Sequence, residues 1–505
     1  MTGRYNYRTR AVDTFVGRAM MEPAEVTIAE VLQDAGYATG LFGKWHLGDN
    51  YPMRPQDQGF EEVLMHRGGG IGQPSDPPAG ENRYTDPVLF ENGIEKSFEG
   101  YCADLYFDHA MKWMEGEHRT GRPFFAYIAS NTPHGPYHDV PEDLYRKYKQ
   151  KDLSKVILSE DGEKDADTVA RIFAMVENID QNMGRLLAWL DELGLVENTI
   201  VIFLTDNGPN TLRYVGDLRG MKTHVHGGGI RTSFFLRWPK RVNGGRKIDT
   251  MAAHIDVMPT LLESAGVDPP ASLKMDGVSF VPELEGSAMN RPERALFIQA
   301  HRGDVPQMYH HVSIHTDRWK LVNPSGFGNE VMTGEPVWEL YDLSTDPGES
   351  NNLAAQHPKQ VERLEKQYED WFKDVSSTRA DNYAPPRIIV GSTHEPVTVL
   401  TRQDWRHFQG RPWAPDSNGA WKIHAEAAGA YRVSVLLESA QATASSVELR
   451  WGEASWTKPV PAGDYEIVFD VDAIPAGPAN LMAIVRERSA AAYGPWHVHV
   501  ERRWD

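Results

Sequence analysis

The chain has 505 residues, 40% of them hydrophobic and 10% aromatic, with a formal net charge of -19. This length predicts a large domain plus a smaller one, and the apolar content excludes a mainly disordered chain. The negative field disfavours nucleic acid and anionic membrane as partners, so an anionic substrate would need a local basic pocket. The single cysteine, Cys102, excludes an intrachain disulfide and leaves the compartment open. No apolar run is long enough to span a bilayer, and the first residues lack the apolar core of a signal peptide.

Residues 1–25 are polar and irregular, with Arg4, Arg8, Arg10 and Arg18 ahead of the first clear element. Thr27-Ile28-Ala29-Glu30 has capping-box spacing, and Ile28, Val31, Leu32 and Ala35 share a helical face that Gly36 ends. A short apolar run then leads to Gly43-Lys44-Trp45-His46. In an extended chain residues i and i+2 face the same side, so Lys44 and His46 can present a cation and a proton-transfer group to one small anion. A solvated surface turn fits the same pair taken alone. Residues 50–100, rich in Gly, Pro, Asp and Asn and including Gly68-Gly69-Gly70, read as a long loop. A helix is predicted from Asp104 to Trp113, then a buried strand, Pro123 to Ala129, ending in Thr132-Pro133-His134-Gly135-Pro136. That turn fixes His134 just past a strand end, where it is either functional or a structural histidine satisfied by backbone.

Asp167 to Leu195 keeps a helical apolar period through Val169, Ile172, Phe173, Val176, Ile179, Met183, Leu186 and Leu190. The β-branched and aromatic run Thr199 to Leu204 predicts a strand covered on both faces, with Asp206-Asn207-Gly208 as the turn at its carboxyl end. Glycines concentrated beside Lys222, His224 and His226 permit close backbone approach to a ligand, and a strand follows from Phe234. Asp256 is placed to cap a helix running to Leu262. Trp338 to Leu343 forms a strand, and an amphipathic helix around Val361, Leu364, Tyr368, Trp371 and Phe372 closes the first domain, 1–378. From 379 to 505 short alternating runs separated by Gly, Pro and Asn predict a β-sandwich. Its tryptophans Trp413, Trp421, Trp451, Trp456 and Trp496 are read as core rather than as sugar-stacking surfaces.

Taken together, Gly36-Tyr37-Ala38-Thr39 with Gly43-Lys44-Trp45-His46, Pro133-His134-Gly135-Pro136, Thr205-Asp206-Asn207-Gly208, Lys222 with Gly228-Gly229-Ile230-Arg231, Asp256 with Pro259-Thr260-Leu261-Leu262, and Leu340-Tyr341-Asp342-Leu343 resemble the type I sulfatase family of the alkaline phosphatase superfamily. The resemblance spans most of residues 1–375 and implies an α/β fold, with a mostly parallel central sheet flanked by helices. It also implies hydrolysis of a sulfate ester, on a sulfated small molecule or glycan, to an alcohol and sulfate. Such enzymes use calcium and a formylglycine made from Cys or Ser in a Cys/Ser-x-Pro-Ser-Arg motif that runs on into Thr-Gly-Arg. Here Met1 is followed directly by Thr2-Gly3-Arg4. The expectation is therefore that Met1 is an internal methionine of a longer sulfatase, with the nucleophile and two aspartate ligands upstream. By the same resemblance such enzymes are periplasmic or secreted, if the missing N-terminus carries a signal.

Carried over position by position, the resemblance implies that Asp206 and Asn207 are half of a calcium ligand set and that Lys44 holds the formylglycine. His46 is then the base that releases sulfate, while His134 and Lys222 contact the sulfate and the leaving oxygen, His134 as the acid. Gly227 departs from the Glu usual at that position, which puts the order of that loop in doubt. The polypeptide 1–505 alone is expected to bind metal weakly and not to turn over sulfate esters. The competing classes are a non-catalytic binder of sulfated or phosphorylated glycans and a phosphatase or phosphonate hydrolase of the same superfamily.

Overall fold

A computed structural model describes residues 1–77, 80–160, 162–287, 293–328, 332, 334–381, 383–440, 445–487 and 492–504. After the short helix α1 (Asn6–Thr9), the first full helix is α2 (Ile28–Asp34), and its capping box forms as the residue spacing predicts. The Glu30 N–H donates to Thr27 Oγ1 at 3.2 Å, and the Thr27 N–H donates to Glu30 Oε2 at 2.7 Å. Gly36, at φ +89°, ends the helix and turns the chain into strand β1 (Ala38–Lys44).

The stretch read as a long loop instead supplies β2 (Glu62–His66), β3 (Val88–Glu91) and β4 (Ile94–Ser97). The β3–β4 connection is Asn92-Gly93 with both residues at positive φ, a tight hairpin signal that the surrounding Gly and Pro obscured. With β5 (Phe124–Ala129) these strands form one sheet in the order β4-β3-β2-β1-β5. The β1–β2 and β1–β5 pairs are parallel and the outer pairs antiparallel, so the central sheet is mixed.

Consecutive β1 residues face opposite sides of the sheet. Phe42 packs with Leu64, Tyr106, Phe107, Val169 and Met175 beneath helices α3 (Cys102–Thr120) and α5 (Gly162–Glu192), while Leu41 packs with Val63, Met65 and Phe60 on the opposite side. Between those helices in sequence comes α4 (Glu142–Lys149). Strand β6 (Val201–Leu204) pairs antiparallel with β7 (Phe234–Arg237), and the small helix α6 (Gly227–Ile230) lies between them in sequence. The covering predicted for β6 is not found: its four residues are only half-buried and Phe235 of β7 is 66% exposed. Among the described residues β6 pairs only with β7, so it sits in a two-stranded sheet and not inside a larger one, while β5 pairs only with β1.

Helices α7 (Val257–Ala265) and α8 (Val281–Leu284) lead to an antiparallel sheet of β8 (Leu296–Gln299), β9 (Val312–His315), β10 (Trp319–Asn323) and β11 (Glu339–Asp342). Helix α9 (Pro358–Ser376) covers that sheet with Leu364, Tyr368, Trp371 and Phe372, joined by Tyr7 and Val12 from the N-terminal stretch. Asp256 does not cap α7 with its side chain; its carboxylate accepts the Ala253 and Val278 N–H groups at 2.7 and 2.9 Å and both arms of Arg294, so it ties the turn before α7 to the segments that follow it.

The C-terminal part holds two sheets. Strands β12 (Ile388–Val390), β15 (Asn418–Ala425), β20 (Gly477–Glu487), β17 (Ser445–Trp451) and β18 (Ala454–Val460) form one, with β14 (Arg406–Gln409) against β15. Strands β13 (Val397–Thr401), β21 (His497–Arg503), β16 (Gly429–Leu436) and β19 (Glu466–Ile474) form the other. Trp421 and Trp451 are core, and Met20 and Met53 from the N-terminal part join the same apolar cluster. No described helix is long and apolar enough to cross a membrane.

Candidate active site

Loops at the carboxyl ends of β1, β5 and β6, with the segment before β7, carry the predicted residues. Lys44 is the last residue of β1, but the chain does not stay extended after it. His46 sits at φ +58°, a left-handed conformation that is strained for a side chain with a Cβ. The pair therefore meets through a turn and not through strand alternation. Trp45 Nε1 donates to the Met53 carbonyl at 2.9 Å and the His46 N–H to the Arg67 carbonyl at 3.2 Å, which hold that turn.

Gly69 and Gly70 lie flat against the two histidines. A Cβ on Gly69 would stand 2.6 Å from His46 Cε1, and one on Gly70 would stand 2.9 Å from His134 Nδ1. No side chain fits at either position, which gives the Gly68-Gly69-Gly70 run a role in the site that its loop-like composition concealed. The Tyr84 hydroxyl donates to the His134 and Gly135 carbonyls at 2.9 and 3.0 Å and steadies the turn that carries His134. His134 Nδ1 lies 2.8 Å from the Gly135 carbonyl, so Nδ1 bears the proton and donates.

The Asn207 N–H donates to Asp206 Oδ1 at 2.9 Å, and the Gly208 N–H donates to the Gly229 carbonyl at 2.8 Å. The Lys222 N–H donates to the Pro209 carbonyl at 2.8 Å, so the Lys222 loop is tied to the Asp206 turn by main chain. The loop support that seemed lost at Gly227 comes from Glu349. Its Oε1 accepts the Gly227 N–H at 2.5 Å and Lys320 Nζ at 2.6 Å, and a Cβ on residue 227 would approach that oxygen to 2.9 Å. His226 points elsewhere, with Nε2 3.3 Å from Glu339.

Mutual charge effects unite Lys44, His46, His134, Lys222 and Asp206. Burial lowers the Lys44 pKa, Asp206 opposes that shift and Lys222 adds to it. Burial, then Lys44, His134 and Lys222, push His46 down to about 3. Burial also lowers His134, with Lys222 and Lys44 in the same direction. Both imidazoles are therefore neutral at pH 7, and two lysines face one carboxylate. Such a site favours an anion.

Sequence reading missed two neighbours. His66, beside the Tyr106 hydroxyl at 3.0 Å, feels the charge of Lys44, His46 and His134. Gln403 Nε2 lies 3.4 Å from His46 Nε2 and comes from the turn after β13. His66 was hidden in the presumed loop, and Gln403 lies 357 residues from His46 with no local signal.

Asp206 and Asn207 are two oxygen-bearing side chains where calcium takes six to eight oxygens. Among the described residues no group of three or more His, Cys, Asp or Glu is placed to hold a metal. The donor set present does not fit calcium. Nor does a described residue fit the formylglycine precursor: no Cys or Ser in 1–505 heads x-Pro-Ser-Arg, and burial pushes the Cys102 thiol up to about 12.

The family model described as Sulfatase matches residues 1–267. The chain belongs to the sulfatase family. A second model, N-sulphoglucosamine sulphohydrolase, C-terminal, matches residues 221–377. Among relatives, the "Uncharacterized sulfatase YdeN" of Escherichia coli (strain K12) is 28% identical over 322 residues, 59% of this sulfatase chain and 53% of that protein. The match thus spans about half the length of YdeN. Arylsulfatase A of Homo sapiens is 28% identical over 366 residues, 65% of this chain and 67% of that protein. The crystal structure of Ps i-CgsB in complex with k-i-k-neocarrahexaose aligns with a TM-score of 0.62 at 23% identity, covering 76% of this chain and 81% of that one. That likeness supports the sulfatase fold.

Proposed function

We propose that this site binds the sulfate group of a sulfate ester, carried on a small molecule or glycan, and serves its hydrolysis to an alcohol and sulfate. The observation that carries the reading is the mutual electrostatic action of Lys44 and His46, His134 and Lys222 from three separate segments, with Asp206 opposing it at Lys44 and His134. Lys44 and Lys222 hold the sulfate oxygens and stabilise charge that grows on them in the transition state. A bound anion offsets the lysines and raises both imidazole pKa values. His134 then carries a second proton and delivers it to the leaving oxygen, while His46 serves as the base of the sulfate-releasing step.

Calcium in this family polarises sulfate oxygens and the formylglycine supplies the nucleophilic oxygen. Residues 1–505 fit neither group, so no step is derived through them. The proposal for the polypeptide 1–505 alone is binding without turnover. Calorimetry with an aryl sulfate is expected to show binding that Lys44→Ala weakens at least tenfold. Hydrolysis of an aryl sulfate by purified 1–505, abolished by Lys44→Ala or His134→Ala, would overturn the absence of turnover. Tighter binding of the matching aryl phosphate would favour a phosphatase.

A further inference from the structure

His46 is gripped along two edges by different parts of the chain. At one edge lies the Gly69 main chain, where a Cβ would stand 2.8 Å from His46 Nδ1. At the other stands the Gln403 carboxamide, whose Nε2 lies 3.4 Å from His46 Nε2. Gln403 is 1% exposed and sits in the turn between β13 and β14. That turn lies beyond residue 377, where the sulfatase-like match ends.

The turn is locked in place. The Gln403 N–H donates to Thr401 Oγ1 at 3.1 Å, and Trp421 Nε1 donates to the Thr401 carbonyl at 2.7 Å. Arg402 donates through Nε and Nη2 to the Pro495 and Gly494 carbonyls, each at 3.0 Å, and Trp405 anchors the far end in the C-terminal core. The N-terminal part is pinned against it. A Cβ on Gly17 would stand 2.6 Å from the Asp404 carbonyl oxygen, and Asn50 Nδ2 donates to the Val399 carbonyl at 3.1 Å. His497 Nε2 donates to the Pro74 carbonyl at 3.3 Å, in the loop where the Gly69 N–H donates to Gln73 Oε1 at 2.6 Å. The C-terminal part therefore meets the Nε2 edge of His46 directly and props the loop that covers its Nδ1 edge.

A carboxamide nitrogen only donates, so His46 Nε2 accepts from Gln403 and the neutral ring keeps its proton on Nδ1. At 3.4 Å the bond is long, as catalytic hydrogen bonds often are before a ligand closes the site. The lone pair with which His46 acts as a base is thereby confined to Nε2. Gln403 Oε1 is buried and has no hydrogen-bond partner. A half-turn of the carboxamide sets that oxygen to accept the Nε2–H that a base gains, a service no apolar side chain could give. We infer that Gln403 is a positioning residue for His46, holding the neutral ring with its proton on Nδ1, and that the C-terminal part thereby completes the site. The inference deepens the reading of His46 as the base at the Lys44 site and rests on it for its purpose.

Nitrogen NMR of isotope-labelled histidine in residues 1–505 at pH 8 tests it, since protonated and lone-pair nitrogens resonate far apart. His46 is assigned by the signals lost in His46→Asn, a residue that tolerates the positive φ. Wild type is expected to show the protonated signal on Nδ1 and the lone-pair signal on Nε2. Gln403→Met, which can neither donate nor accept there, should let the two tautomers mix and draw the two signals together. Gln403→Glu, whose carboxylate only accepts, should exchange them and put the proton on Nε2. A packing role alone would move neither signal. A protonated Nε2 in wild type, or the wild-type pattern kept in Gln403→Met, overturns the inference. If Gln403→Met does not fold, as judged by circular dichroism, Gln403→Glu decides, and a proton still on Nδ1 there overturns it. Aryl sulfate binding left unchanged by Lys44→Ala in calorimetry overturns the sulfate pocket instead, and with it the purpose given to the tautomer.

Discussion

Glu349 is the residue whose removal tests most directly how the Lys222 loop is held. Its Oε1 accepts both the Gly227 N–H and Lys320 Nζ, and the side chains of Lys320 and Glu349 are each 1% exposed. Burial lowers the Lys320 pKa to about 8, against the opposing pull of Glu349. Without that carboxylate the opposing pull is lost and the folded value falls further below its wild-type position. The added penalty at pH 7 is then limited to the single unit between about 8 and 7, about 1.4 kcal/mol. Losing a charged acceptor for the Gly227 N–H adds about 1.5–3 kcal/mol in Glu349→Ala. The sum, about 3–4 kcal/mol, agrees with the usual cost of removing one partner from a buried pair.

The sign with pH separates the two contributions. A lysine depressed in the folded state leaves the unfolded chain binding more protons between about 8 and 10.4, so wild-type stability rises with pH through that window. In Glu349→Gln the window extends to lower pH. The lysine share of the difference is therefore present at pH 7 and vanishes by pH 9, where Lys320 is neutral in both proteins. Urea denaturation followed by tryptophan fluorescence at pH 7 and 9 measures it. A difference that is the same at both pH values, or below about 0.5 kcal/mol at pH 7, would refute the reasoning.

Three further outcomes are expected. Gly69→Ala should keep the fold yet weaken sulfate-ester binding at least tenfold in calorimetry, because its Cβ would stand 2.6 Å from the His46 ring; unchanged affinity would show that His46 is not held by that loop. Acid should destabilise the chain. Burial lowers His226 and His301 to about 4, so below pH 6.5 the unfolded state binds more protons, and each histidine removes up to about 3 kcal/mol by pH 4; a urea midpoint that stays level from pH 6.5 to 4.5 would contradict this. Sulfate-ester binding at pH 6 should take up protons at His134, since the anion offsets the Lys222 and Lys44 charges that add to burial in lowering its pKa. Calorimetry in buffers of different ionisation enthalpy reads that uptake, and none in any buffer would exclude His134 as the acid.

Local chemistry in the sequence determined a good deal. The Thr27–Glu30 box, the apolar period of α5, the strand ending at Ala129 and the alternating C-terminal runs are patterns of neighbouring residues, and backbone geometry turns such patterns into elements directly. Lys44, His46, His134, Asp206, Asn207 and Lys222 stood out as candidates for the same reason, each lying in a short strand-end or glycine-rich motif. What the sequence could not decide is which distant groups share a pocket. Gly69 and Gly70 looked like loop filler until they met two histidines, and Glu349 replaced a side chain absent at 227 from more than a hundred residues away. Gln403 likewise acquired meaning only from its neighbour His46. Burial and Coulomb interaction depend on distance in space, so pKa values, unmet donors and the pairing of β5 and β6 were set by tertiary structure alone.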